Sequence, residues 1–280
     1  MDCKYQYVFL IEVNDNNIYN NNKINKWGRK MLKYEKVLGF DFVNNSMNEF
    51  VDEMHLRIKN GKKTFVVTAN PEIITYANTH PHYDKVLKQA NYIIPDGVGI
   101  TIASKLLGNP LQERITGFDF MTELLRIANN KHYKIYFLGT QPGVIDLTVQ
   151  NIKQVFPNID VAGFHHGFFE DNQPIINDIQ KTEPDIVFLG LGFPKQEEWI
   201  AANKHYFHKG LFIGLGGCFN VWAGAVKRAP KFWRDLNLEW AYRIISEPSR
   251  LKRSVAIPQF VFRVINSKYR KSSKKGVSKI

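Results

Sequence analysis

Two cysteines in 280 residues, Cys3 and Cys218, are too few and too far apart for a disulfide framework or a thiolate metal site. The chain therefore reads as one kept reduced inside the cell. No apolar run reaches the roughly 20 residues that a membrane-crossing helix needs. The longest, residues 211–226, is interrupted by Gly214, Gly216, Gly217, Gly224 and Asn220. The early run 7–13 contains Glu12 and leads to no small-residue cleavage site, which argues against a signal peptide. No two Asp are spaced as D-x-D, the usual pair for holding a divalent metal on a nucleotide diphosphate, and the His residues form no H-E-x-x-H. The pair His165-His166 reads as a strand end. Neither G-x-G-x-x-G nor G-x-x-x-x-G-K-[ST] occurs, which disfavours a nicotinamide dinucleotide and a P-loop nucleotide.

What is present is a globular chain, 44% apolar, with three zones. Residues 1–30 carry an Asn-rich tract at 14–25 that cannot support a packed core, so they read as a disordered and dispensable extension. Residues 31–225 alternate β-type runs (65–68, 92–94, 135–138, 159–162, 186–189, 211–214) with helical patterns (48–59, 73–89, 118–129, 143–156, 175–181, 196–204). That alternation predicts an α/β fold: a Rossmann-like, mainly parallel sheet with helices on both faces. Residues 226–280 are a basic helical appendage.

Two of the runs end in polar side chains, Thr68-Ala69-Asn70-Pro71 and Pro95-Asp96-Gly97. Ligands of open α/β sheets bind beyond the carboxyl ends of the strands, so Thr68, Asn70 and Asp96 should share a pocket, with Asp96 the candidate base. Other strands end in glycine, at Gly139, Gly190 and Gly214, where backbone N–H groups can approach a phosphate.

Acidic residues are scarce at the carboxyl end. After residue 225, fifteen Lys and Arg face only Asp235, Glu239 and Glu247, a net +12 that equals the formal charge of the whole chain. An anionic partner of the tail follows: a membrane surface, a phosphorylated ligand or a nucleic acid. Within 228–253, Trp233, Leu236, Trp240 and Ile244 recur at helical spacing beside Arg234 and Arg243, and Pro248 ends the segment. This predicts one amphipathic basic helix, lying in a lipid headgroup region or packed on the core. A nucleic-acid-binding protein would use the tail but leave the balanced core and Asp96 without a role.

The motifs 68–71, Pro95-Asp96-Gly97-Val98-Gly99, Glu113-Arg114-Ile115-Thr116-Gly117, 189–197, Arg228-Ala229-Pro230, Leu238-Glu239-Trp240 and Glu247-Pro248 together resemble the WecG/TagA/CpsF glycosyltransferases, above all the TagA branch, over residues 32–253. The resemblance implies a metal-independent, cofactor-free, inverting transfer of N-acetylmannosamine. The donor would be UDP-linked, and the acceptor the 4-hydroxyl of N-acetylglucosamine on a lipid diphosphate at the inner face of the plasma membrane, in wall teichoic acid synthesis. N-acetylmannosaminuronic acid or glucose are the alternative sugars, and a soluble acceptor the alternative partner. Asp96 would be the general base, ionised near its ordinary pKa, with Thr68, Asn70 and Gly97 around it. Arg114 would grip a phosphate or the acceptor, unless it pairs with Glu113 or Asp119. Gln196 would meet the uracil or sugar, unless it caps its helix. Arg228, Arg243, Arg250 and Arg253 would close over the diphosphate, and self-association would hide the tail in solution.

Overall fold

The computed structural model describes residues 31–246 and 256–277. The chain enters a hairpin, β1 (Tyr34–Val37) and β2 (Phe40–Val43). Leu38 and Gly39 turn it with φ of 47° and 95°, the paired left-handed conformations of a two-residue I′ turn. Six parallel strands follow: β3 (Thr64–Ala69), β4 (Tyr92–Pro95), β5 (Lys134–Gly139), β6 (Asp160–His165), β7 (Ile186–Gly190) and β8 (Leu211–Gly214). The sheet runs β1-β2-β4-β3-β8-β7-β5-β6, and only the β1–β2 pair is antiparallel.

The central strands are buried on both faces, as parallel sheets require. Val66, Ile94, Phe137 and Phe188 enter one core layer with α1 (Met47–Lys59), α5 (Gly117–Lys131), α6 (Val144–Val155) and α9 (Cys218–Trp222). Their neighbours Val67, Ile93, Leu138 and Leu189 enter the other, with α2 (Pro71–Ala77), α3 (Pro81–Leu87), α4 (Val98–Leu106), α7 (Gln173–Thr182) and α8 (Lys195–Asn203). The expected sheet with helices on both faces is what forms.

Three local expectations are corrected. The helix expected over 73–89 is two helices, α2 and α3, because Pro81 has no N–H to continue the ladder and forces His80 into an extended conformation (φ −124°, ψ 96°). The β1–β2 hairpin and α4 were not expected at all. The single basic helix expected over 228–253 breaks into α10 (Lys231–Asp235) and α11 (Glu239–Ser246). Asn237 there takes φ 59° and Leu238 N–H returns to Trp233 O at 2.8 Å. Asn tolerates that left-handed position better than most residues. Pro248, Arg250 and Arg253 lie outside the described residues, as does the Asn-rich tract.

A last helix, α12 (Ala256–Val277), packs on α2 and α4. Phe260 and Val264, 2% and 3% exposed, join the second core layer. Among the described residues no helix is long and apolar enough to cross a membrane.

Candidate active site

Parallel register places the site. Ala69 stands opposite Pro95, so Asn70 and Asp96 leave the sheet side by side, and Asp96 N–H donates to Ala69 O at 3.0 Å. The helices that follow begin against each other. A Cβ on Gly97 would lie 2.8 Å from Pro71 Cδ, and one on Gly99 would lie 2.6 Å from Pro71 Cγ. Glycine is needed at both positions for close approach. Asn70 Oδ1 caps α2 by accepting from Ile73 N–H at 3.0 Å. Thr68 Oγ1 donates to Gly214 O at 2.8 Å, tying β3 to the end of β8. Thr68, Asn70, Asp96 and Gly97 do stand together at the strand ends, although the first two spend their polar atoms on the protein's own frame.

Asp96 Oδ1 accepts the Gly117 N–H at 3.1 Å, at the positive end of α5. Burial pushes the carboxyl from 3.8 up to about 6. It is opposed by that N–H and by Arg243 and Arg114, which favour the charged form, whereas Glu239 disfavours it. The expectation of an ordinary pKa is corrected: burial outweighs the neighbouring charges at this group. Arg243 reaches the site from α11 with its Nη2 bonded to Glu239 Oε1 at 2.8 Å, and Glu239 is itself only 8% exposed. Beside them the Cys218 thiol is driven up to about 12 by burial, so it stays protonated.

Arg228 docks on the same first turn of α5. Its guanidinium pairs with Asp119 in the first turn of α5 and sits 4.2 Å from the centre of the Phe118 ring. Both carboxylates considered for Arg114 are engaged elsewhere: Glu113 accepts from Met47 N–H at the start of α1, and Asp119 holds Arg228. Arg114 makes no salt bridge among the described residues and adds positive potential at Asp96.

Gln196 is 3% exposed. It does not cap α8 with its side chain; both ends of its amide bind within the protein, to Gly216 and Glu197. His165 ends β6, as read. Among the described residues no three His, Cys, Asp or Glu side chains gather as a metal-ligand group.

Sequence reasoning missed Glu239, Gly117 and Asp119 as site residues. The first two stand in motifs that were noticed, and Asp119 follows one by two positions, but nothing in their spacing announces that they face Asp96 or Arg228.

A strand-end carboxylate with a raised pKa, held by a helix N-terminus and faced by arginines, suits removal of a hydroxyl proton beside an anionic leaving group. That chemistry is group transfer. Residues 35–274 match the family described as glycosyl transferase WecG/TagA/CpsF, and the chain belongs to that family; it is a glycosyltransferase. The match extends past residue 253 into α12, further than the motifs alone reached. It is 40% identical over 235 residues to the N-acetylglucosaminyldiphosphoundecaprenol N-acetyl-beta-D-mannosaminyltransferase of Bacillus spizizenii, covering 84% of this chain and 91% of that one. It is also 40% identical to the protein so named from Staphylococcus aureus strain MW2, covering 83% of this chain and 92% of that one.

Proposed function

We propose that this protein transfers N-acetylmannosamine from UDP-N-acetylmannosamine to the 4-hydroxyl of N-acetylglucosamine carried on undecaprenyl diphosphate, a step in building the wall teichoic acid linkage unit. The observation that carries the reading is Asp96, a base whose pKa of about 6 sits just below neutrality, in a chain whose relatives at 40% identity bear that activity's name.

Asp96 takes the proton of the acceptor hydroxyl as its oxygen attacks the anomeric carbon from the face opposite the diphosphate. The carbon–oxygen bond to UDP breaks with inversion. Negative charge developing on the leaving UDP is met by Arg243, Arg228 and Arg114 together with backbone N–H groups, so the reaction needs no divalent metal. The resemblance gives Arg250 and Arg253, which lie outside the described residues, the same role toward the diphosphate. The basic tail brings the enzyme to the anionic inner face of the plasma membrane, where the acceptor resides, each Lys or Arg near that surface contributing about 1 kcal/mol.

The test is turnover with a panel of UDP-sugars and a short-chain N-acetylglucosamine lipid diphosphate, with the product's anomeric configuration read by NMR, in the presence and absence of chelator. The expected result is a β-linked product from UDP-N-acetylmannosamine, made equally with chelator. Preference for UDP-glucose or the uronic acid, or a retained configuration, would overturn the assignment.

A further inference from the structure

Beside these strand ends lies a carboxyl group that the chemistry above does not use. Glu197 is 0% exposed, and so is Tyr83. The amide of Gln196 is locked at both ends, with Oε1 accepting from Gly216 N–H at 2.9 Å and Nε2 donating to Glu197 Oε1 at 2.7 Å. A backbone N–H only donates, so the amide oxygen must face Gly216 and the nitrogen must face Glu197. The pair rests directly on the end of β8. A Cβ on Gly214 would meet Gln196 Nε2 at 2.6 Å and Glu197 Oε1 at 2.8 Å.

The turn after β8, residues 214–217, is thereby pinned from three sides. Gln196 holds Gly216 from behind, Thr68 Oγ1 holds the Gly214 carbonyl at 2.8 Å, and Leu215 N–H bonds Leu189 O of β7 at 2.8 Å. The turn stands on the strand next to β3, flanking Thr68 on the side away from Asp96.

Stability does not account for this carboxyl. Burial drives its pKa from 4.5 to about 7. Its Oε2 meets only the Tyr83 hydroxyl, close enough to bias the ionisation of both groups but outside good hydrogen-bond geometry. An unpartnered buried polar atom costs about 1–3 kcal/mol, and an apolar side chain of similar volume would avoid that cost. What an apolar side chain could not do is orient Gln196.

We infer that Gln196 and Glu197 are positioning residues for the transfer: the buried pair fixes the 214–217 turn against Thr68, and the fixed turn forms a donor-facing wall across Thr68 from Asp96. The inference rests on the glycosyl-transfer reading. It gives Gln196 an indirect role through Gly216 in place of the direct donor contact that the family resemblance implies.

The experiment compares Glu197→Ala, Glu197→Gln and Gln196→Met in the full chain, after circular dichroism and a cooperative melt confirm folding. Glu197→Ala should raise KM for the UDP-sugar about tenfold, the equivalent of one hydrogen bond, and leave KM for the lipid acceptor unchanged. Hydrogen exchange at Gly216 should accelerate, and UDP should bind about tenfold more weakly by calorimetry. Gln196→Met should reproduce these effects even if Glu197→Ala fails to fold. Glu197→Gln can still accept from Gln196 and should recover most of the lost donor affinity. Unchanged UDP affinity and Gly216 exchange in Gln196→Met would overturn the inference. So would a Glu197→Gln as impaired as Glu197→Ala, because the carboxyl would then act in its own right. UDP binding and exchange are read without turnover, so a wild-type protein that transfers none of the sugars tested would sink the functional reading and leave these two readouts to decide this one.

Discussion

Replacing Asp96 by Asn should slow transfer by orders of magnitude and at the same time stabilise the protein. Asn keeps the size of the side chain and an oxygen to accept the Gly117 N–H, but it can neither take a proton nor carry a charge. A positioned base contributes roughly 100- to 10,000-fold, and kcat should fall by that much with little change in donor KM. The stability effect follows from the raised pKa. A carboxyl at about 6 when folded and near 3.8 when unfolded binds its proton more tightly in the folded state. The fold therefore carries no penalty below the unfolded value, loses stability as pH rises towards 6, and stays penalised above it. The difference corresponds to an upper bound of about 3 kcal/mol, so Asp96→Asn should melt several degrees higher at pH 7.5 and at nearly the wild-type temperature close to pH 4. Wild-type kcat/KM should drop about tenfold for each pH unit below 6 as the base fills with protons. The assays are kcat/KM from pH 5 to 8 and calorimetric melts over the same range extended to 4. A flat pH–rate profile, or a variant that melts lower than wild type at pH 7.5, would refute the reasoning.

Three further outcomes follow from packing. Arg228→Met removes the Asp119 ion pair and the cation over Phe118; a loss of about 1–2 kcal/mol and faster proteolysis of 227–246 are expected, and an unchanged cleavage pattern would count against the docking role. Gly99→Ala places a Cβ 2.6 Å from Pro71, so α4 must shift from α2. About 1–3 kcal/mol should be lost in denaturant melts, and kcat should fall further than stability alone explains because Asp96 moves with the turn. Phe260→Ala leaves a cavity between α12 and the core and should cost about 3–5 kcal/mol; a loss below 1 kcal/mol would mean that α12 is not part of the folded core.

The parallel sheet was legible because its central strands are buried on both faces, which demands unbroken apolar runs such as Phe65-Val66-Val67 and Ile186-Val187-Phe188-Leu189. Thr68, Asn70 and Asp96 were legible for a related reason: parallel strands put their carboxyl ends on one edge, whatever the order of strands between them. The hairpin was not, since β1 and β2 are four residues each and their turn is Leu38-Gly39, not an Asn-Gly or Asp-Gly signal. Helix α4 was hidden because Val98-Gly99-Ile100-Thr101-Ile102 alternates as a strand would. The tail's break at Asn237 left the apolar spacing almost intact, so periodicity ran straight through it. The setting of Gln196 and the pKa of Asp96 depend on residues distant in sequence, Gly216 for one and, for the other, the packing that buries the carboxyl against the opposing Gly117 N–H and Arg243, and no local pattern reports them.

The first turn of α5 serves two masters. Gly117 clamps the Asp96 carboxylate through its N–H, and two residues later Asp119 grips Arg228. Positions 96, 117, 119 and 228 therefore cannot drift one at a time. Mutational effects among them should be non-additive, and lineages that alter Arg228 should carry a compensating change at 119, an epistatic knot joining Asp96 to the start of the tail.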